Sequence, residues 1–450
     1  MYKRQASVGE VLHGPVTRRD FLKVGAVAGA ALGVGGALGG SLAACGSSSG
    51  GGSGREIKVG FIAPFTGPLA AFGVPDKFCL DQWNAAVKGG IKCDDGQTHP
   101  INIIVKDSQS DSNRAATVTG DLITNDGVDI VMAASTPDTV NPVADQCEAM
   151  GVPCVTNDCP WQAYFFGRGG DPAKPFKWTY HSWWGTEGIT AVFIDMWSQI
   201  SNNKTVGEMW PNDSSGLAYA DPETGQPPFF TKAGFKIVDG GRYQDGSEDF
   251  TPQISKFRSA NCDIVSGSMI PSDFTNFWKQ CTQQGFHPPI ATVGKALLFP
   301  TSLEALGPIG YYLSSECWWT PTHPFKSSLT DQTCREIADA YEKDTGKQWT
   351  QPILHYAIFE VVVDALKRTT NVDDKEAIIT AVKNTDMQTI GGRVTWKAGP
   401  PLNPVPNVCT TPITGGQWVK GTKYPFDLVV VSNSVAPEVP TTAKLKPITY

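Results

Sequence analysis

From Ile57 onward the chain alternates short apolar runs with amphipathic stretches, and it does so twice. "IKVGFIAPF" is an apolar run ended by prolines, residues 69–88 read as a helix, and "INIIVKD" closes at Asp107. Residues 111–126 put Ala115, Val118, Leu122 and Ile123 on one helical face, and "VDIVMAA" and "GVPCVT" are further strands. The helix between those two strands is expected to open at Asn141-Pro142, since Asn suits the N-cap and Pro the first helical position. Val143, Ala144, Cys147 and Met150 would be its apolar face. The rhythm restarts with strands in "TVGEMW" and "FKIVDGG", a helix in "EDFTPQISKFRSA", a strand in "CDIVSGSM", a helix in "SDFTNFWKQCTQQG" and a strand in "PIATVG". Strand–helix alternation requires parallel sheets covered by helices on both faces, so each series predicts one α/β lobe. Helices over 329–345, 353–369 and 373–384 follow; from Thr389 the chain reads as strands and loops, and from Pro437 as a loose tail.

Ahead of this lies "TRRDFLKVGAVAGAALGVGGALGG", uncharged after Lys23 as far as Leu42. The apolar run is long enough to span a bilayer, which takes about 20 residues, but its many glycines are poor helix formers. A charged start, an apolar middle and small residues before a break read as an export signal, and the paired Arg18-Arg19 as the twin-arginine (Tat) type that carries folded cargo. "LAAC" at 42–45 resembles a lipobox, which implies cleavage before Cys45 and lipidation of its thiol. Residues 1–44 are therefore expected to be a Tat lipoprotein signal, and 45–55 the lipidated cysteine with a Gly/Ser tether, flexible and unable to bury a core. Such a tether suits work at a membrane surface without spanning it, on its extracytoplasmic side.

The 450-residue chain carries a net charge of −7. Lys3, Arg4, Arg18, Arg19 and Lys23 outnumber Glu10 and Asp20 by three within residues 1–44, so the remainder stands at −10. That acidity argues against nucleic acid as a partner. About 400 residues exceed what one core usually serves, which predicts two domains. Setting Cys45 aside leaves ten cysteines, and an oxidising compartment makes up to five disulfides an expectation, with Cys262–Cys281 and Cys317–Cys334 as local pairings. There is no C-x-x-C, the six histidines have no ligand-like spacing, and neither a metal nor another cofactor is expected. No G-x-S-x-G elbow, H-E-x-x-H, phosphate loop or dinucleotide fingerprint is present, so an enzyme is not expected.

"IKVGFIAPFTGPLAAFG", "KGGIK", "DSQSDSNRAATVTGDLITNDGVDIVMAASTPDTVNPVADQCEAMGVP" and "GSEDFTPQISKFRSANCDIV", in that order, resemble the leucine/isoleucine/valine-binding family of type I periplasmic binding proteins that serve ABC importers. The resemblance covers 57 to about 395. It implies two Rossmann-like α/β lobes joined by three crossovers, with a ligand cleft that shuts like a flytrap: lobe one from 56–180 and 318–388, lobe two from 181–317 and 389–450.

The residues themselves point to the same cleft. Ligands of open α/β sheets bind beyond the carboxyl ends of the strands, and "ASTPDTVNP" occupies such a place. Its hydroxyls at Ser135, Thr136 and Thr139, with a helix N-terminus behind them, suit a carboxylate or amide oxygen, the role this loop has in the family. Pro137 and Asp138 stand where the family often has small hydroxyl residues, and Asp138 would repel a carboxylate unless it turned away or met an amine. Phe72, after "GPLAA", matches a family position where a ring touches ligand. Asn157 and Asp158 follow the fourth strand, His181, Trp183 and Trp184 lie near the first crossover, and Trp210 ends the first strand of lobe two. Aromatics at strand ends stack on flat or apolar ligands, although packing within a core is the commoner role of such rings.

One departure from the family matters. Its amino-acid binders place an acid in lobe two against the ligand ammonium; the matching stretch here, Val293-Gly294-Lys295-Ala296, offers only Lys295. An unpaired buried ammonium is costly, so an amide, urea or carboxylate becomes as good an expectation as a branched-chain amino acid. The resulting expectation is a lipid-anchored, extracytoplasmic binding protein for a small solute, delivering to an ABC permease. The alternatives are a ligand-sensing subunit docked on a membrane receptor and, further off, a secreted enzyme.

Overall fold

The computed structural model describes residues 53–450; the signal segment, Cys45 and most of the tether lie outside them. In chain order the principal strands are β1 (Ile57–Ala63), β2 (Ile101–Asp107), β3 (Ile130–Ala133), β4 (Cys154–Thr156), β5 (Thr179–Ser182), β6 (Thr205–Met209), β7 (Lys236–Asp239), β8 (Ile264–Ser268), β9 (Ile290–Gly294), β10 (Ser314–Cys317), β11 (Val408–Cys409), β12 (Thr414–Lys420) and β13 (Phe426–Ser432).

They form two sheets. The first is six-stranded and parallel throughout, in the order β11-β5-β4-β3-β1-β2. The second has seven strands in the order β13-β12-β10-β9-β8-β6-β7, parallel except where β12 pairs with β10 and with β13. Both parallel parts share one winding pattern, so each has a point where the order reverses, between β1 and β3 and between β6 and β8. Such points open a crevice at the carboxyl ends of the strands.

Helices cover both sheets, as strands buried on both faces require. Trp83, on Asp76–Ala86, packs edge-on against Phe61 of β1 at 5.4 Å and beside Phe359 of Tyr356–Lys367 at 5.0 Å, joining two distant helices over the first sheet. Trp197, on Thr186–Ser198, plays the same part in the second lobe: it stacks on Phe230 and donates its indole N–H to Thr292 Oγ1 at 2.9 Å.

The structure revises several expectations. The helix after β3 is Pro137–Met150, five residues longer at its start than the Asn-Pro signal implied, with Pro137 rather than Pro142 opening it. Pro142 sits inside, and the Asp138 carbonyl that its missing N–H leaves free accepts the Ser112 hydroxyl at 2.8 Å. Chain crossings fall at 183–185, 318–319 and 410–413. The return placed at 389 comes later, because Val408–Cys409 still pairs with β5, and the crossing placed at 181 lies beyond Ser182 for the same reason. The residues after Pro437 are docked: Val439, Leu445 and Ile448 are buried, Gln417 Nε2 donates to the Lys446 carbonyl, and Ile448 N to that of Pro289. The ten cysteines from Cys79 to Cys409 are all buried as free thiols, and no disulfide is present among the described residues. Cys317 Sγ donates to the Trp319 carbonyl and Cys334 Sγ to those of Phe325 and Ile390, so the pair expected to bridge serves instead as small core side chains.

Candidate functional site

The carboxyl ends of both sheets turn toward one narrow cavity of about 30 Å³. Lobe one contributes Phe72, Thr136 and Asp158; lobe two contributes Ser215, Tyr219, Ser268, Lys295 and Glu316; Trp183 and Trp184 stand on the first crossover and Trp318 on the second.

The loop after β3 is tight. Ser135 and Thr136 both have positive φ, 77° and 66°, a conformation side chains rarely adopt. It is held because Thr136 N donates to the Asp158 carbonyl at 2.8 Å, tying the β3 and β4 loops together, and because Thr139 Oγ1 shares a hydrogen bond with Ser108 Oγ at 3.2 Å. The hydroxyls of Ser135 and Thr136 are buried without a protein partner.

Asp158, also at positive φ, ends a buried relay. Its Oδ2 meets His355 Nε2 at 2.9 Å, and His355 Nδ1 meets Asp76 Oδ1 at 2.7 Å. Burial works against a charged imidazole, but the two carboxylates outweigh it and carry the His355 pKa up to about 9. Burial raises the pKa of Asp76 and of Asp158, and His355 opposes the rise.

Lobe two supplies a second charged set. Lys295, likewise at positive φ, reaches Asp213 Oδ2 with its Nζ at 2.7 Å. Asp213 uses its other oxygen to cap Ser214–Ala220 by accepting from Gly216 N at 2.6 Å, so one carboxylate fixes both a helix and a lysine. Burial opposes the Lys295 ammonium, yet Asp213, Asp138 and Asp245 hold its pKa above the ordinary value. Glu316, buried in β10, accepts from Lys295 N at 3.0 Å and from Ser315 Oγ at 2.6 Å. Burial pushes its carboxyl upward, the hydrogen bonds pull the other way, and the charge of Asp158 adds to the rise. Gly294 leaves the space: a β-carbon there would stand 3.0 Å from Glu316 Oε2.

Of the residues singled out from sequence, Phe72, Thr136, Asp158, Trp183, Trp184 and Lys295 line the cavity. Ser135, Thr139 and Asn157 sit behind the wall, and Asp138 faces Ser214 beside it. Trp210 and His181 are elsewhere. Trp210 donates to Gln226 Oε1 and lies under the Arg242 guanidinium; His181 stacks on Tyr164, bonds Thr156 and Cys159, and is held neutral by burial with its pKa down to about 3. The acid missing from the β9 turn is answered from the next strand. Glu316 escaped the sequence reading because Ser314-Ser315-Glu316 lacks the apolar pattern of a buried strand.

A family model described as "Periplasmic binding protein" matches residues 56–405, and a twin-arginine translocation signal model matches 15–35. The fold is shared with a leucine-binding protein from Thermotoga maritima at 18% identity, covering 84% of this chain and 99% of that one with a TM-score of 0.65. A branched-chain amino-acid transporter substrate-binding protein from Streptococcus pneumoniae, in complex with isoleucine, also matches at 18% identity, 84% and 99% coverage and a TM-score of 0.65. An ABC-transporter solute-binding protein from Rhodopseudomonas palustris, in complex with 3,4-dihydroxybenzoic acid, matches at 18% identity, 84% and 96% coverage and a TM-score of 0.66. These relatives are solute-binding proteins rather than enzymes. With a twin-arginine signal ahead of two lobes that enclose a polar–aromatic cavity, this exported chain belongs to the periplasmic binding protein family.

Proposed function

We propose that the chain is the substrate-binding lipoprotein of an ABC importer, anchored through Cys45 on the extracytoplasmic face, which closes its lobes over a small solute and hands it to a membrane permease. The observation that carries this reading is the set of buried polar atoms around the cavity that lack a protein partner: Thr136 Oγ1 and the indole Nε1 atoms of Trp183, Trp184 and Trp318. Buried donors are normally satisfied, and a bound solute would satisfy these. Phe72, Thr136, Asp158, Trp183 and Lys295 are the sequence-chosen residues we assign to the ligand wall, with Glu316 and Trp318 added. The relatives' ligands, isoleucine and 3,4-dihydroxybenzoic acid, set the size class.

Binding to the closed form alone would raise thermal stability and move the lobes together. A thermal-shift screen over amino acids, amides, amines and aromatic acids, followed by small-angle scattering with each hit, tests both. A hit that raises Tm and compacts the protein supports the reading. A gene deletion that leaves uptake of that solute unchanged would remove the importer role, and membrane retention after Cys45→Ala would remove the lipid anchor.

A further inference from the structure

The charges around the cavity are not balanced. Among the described residues, Lys295 is the one cation on its wall, and Asp213 already holds it at 2.7 Å. Asp158 approaches from lobe one and Glu316 from lobe two, so two carboxyl groups face one cavity from opposite lobes. A second buried cation, His355, is shared between Asp158 and Asp76. Three buried acids, Asp76, Asp158 and Glu316, and the nearly buried Asp213 thus stand against Lys295 and His355.

A carboxylate ligand would find no unpaired cation here. The helix after β3 gives little help, because its first residue is Pro137, without an N–H, and its first turn already carries the Asp138 carboxylate. The walls favour the opposite sign: Phe72, Trp183, Trp184, Tyr219 and Trp318 present aromatic rings, which attract a cation through their faces. Trp183 and Trp318 meet edge to face at 4.8 Å across the first and second crossovers.

Resting on the solute-binding reading above, we propose that the ligand is a small organic cation, a protonated or alkylated amine with an apolar body and one neutral hydrogen-bond acceptor, whose charge sits between Asp158 and Glu316. The acceptor takes the unpartnered indole N–H groups. Closing the empty lobes brings two acids together at a cost; closing them on a cation turns the same approach into attraction. Glu316 is then a specificity-determining residue.

The test uses probes that share an apolar body and differ in the charged groups they carry: tyramine, tyrosine and 3-(4-hydroxyphenyl)propanoate, whose phenol supplies the neutral acceptor, then 3-methylbutylamine, leucine and 4-methylpentanoate, whose amine lacks it. Titration calorimetry on the mature chain is expected to rank the amine first in at least one series, at least about tenfold tighter than its carboxylate. Glu316→Gln should weaken that amine about tenfold or more and leave the carboxylate unweakened. Carboxylates or amino acids binding tighter than the matched amines would overturn the proposal while leaving a solute-binding protein in place. Failure of every amine would overturn it too, and the uptake phenotype of the deletion then decides the importer role separately. Equal loss of all ligands in Glu316→Gln would make Glu316 structural.

Discussion

Asp138 Oδ1 accepts a hydrogen bond from Ser214 Oγ at 2.8 Å, and these two residues stand on opposite lobes. Together with Phe72 against Phe299, edge to face at 5.0 Å, this contact bridges the mouth of the cleft. Asp138, which would repel a ligand carboxylate, is turned instead toward the facing lobe, where it also adds to the field on Lys295.

If that hydrogen bond is a latch, Ser214→Ala removes a contact made only on closure. A solvent-edge hydrogen bond contributes about 0.5–1.5 kcal/mol, so ligand affinity is expected to fall roughly two- to twelvefold. Asp138→Ala should cost a similar amount, and the double variant little more than either. Full additivity in calorimetry would show that the two do not act as a pair.

The Lys295–Asp213 pair is a different kind of contact, since both partners are nearly buried. Removing one side of a buried pair leaves an uncompensated charge and costs about 3–5 kcal/mol. Asp213→Ala should pay that and lose the helix cap as well, whereas Asp213→Asn keeps a good cap. Urea unfolding should therefore place Asn between wild type and Ala. Equal stability of all three would show that the lysine needs no counter-charge.

How much of this was legible in the chain depends on the pattern each residue belongs to. The two lobes followed from alternating apolar runs, which parallel sheets impose. The end of β3 is legible as a strand end, but the helix after it reads as starting at Asn141-Pro142, because a proline that normally opens helices is here tolerated within one by a hydroxyl from Ser112. Glu316 and the His355 relay were invisible. The first lies in a strand of polar residues, and the second joins positions 76, 158 and 355, which no local spacing brings together. The docked C-terminus was missed because its prolines and threonines resemble a linker, while its burial comes from a groove beside β12.

The His355 relay sets a pH dependence. His355 titrates at about 9 in the folded chain and near 6.5 when unfolded. A raised folded-state pKa gives stability that is complete below about pH 6.5 and lost as pH rises through 9, up to about 3 kcal/mol for this group. His355→Gln should thus be markedly less stable than wild type at pH 6.5, with the gap closing toward pH 9. His181 has the opposite sign: its pKa, held down to about 3, costs stability as pH falls below the unfolded value. Paired denaturation curves for wild type and variant across this range check the difference; a gap that stays constant with pH would mean His355 is neutral in the fold.

The cysteines bear on how the chain is exported. Cargo of a twin-arginine route folds before it leaves a reducing compartment, so a fold that needed disulfides would arrive unfinished. Here ten thiols are buried and free, most with their pKa raised by burial, which makes them poor nucleophiles. Cys147 and Cys154 lie close enough to interact, yet both pack in the small cluster beneath the first sheet with Val143 and Val152. We expect Tm to be the same with and without a strong reductant, and a thiol reagent to label none of the ten in the native chain and all ten after denaturation. A Tm that drops by several degrees on reduction, or fewer than ten reactive thiols in denatured, unreduced protein, would show that oxidation has bridged some of them after export.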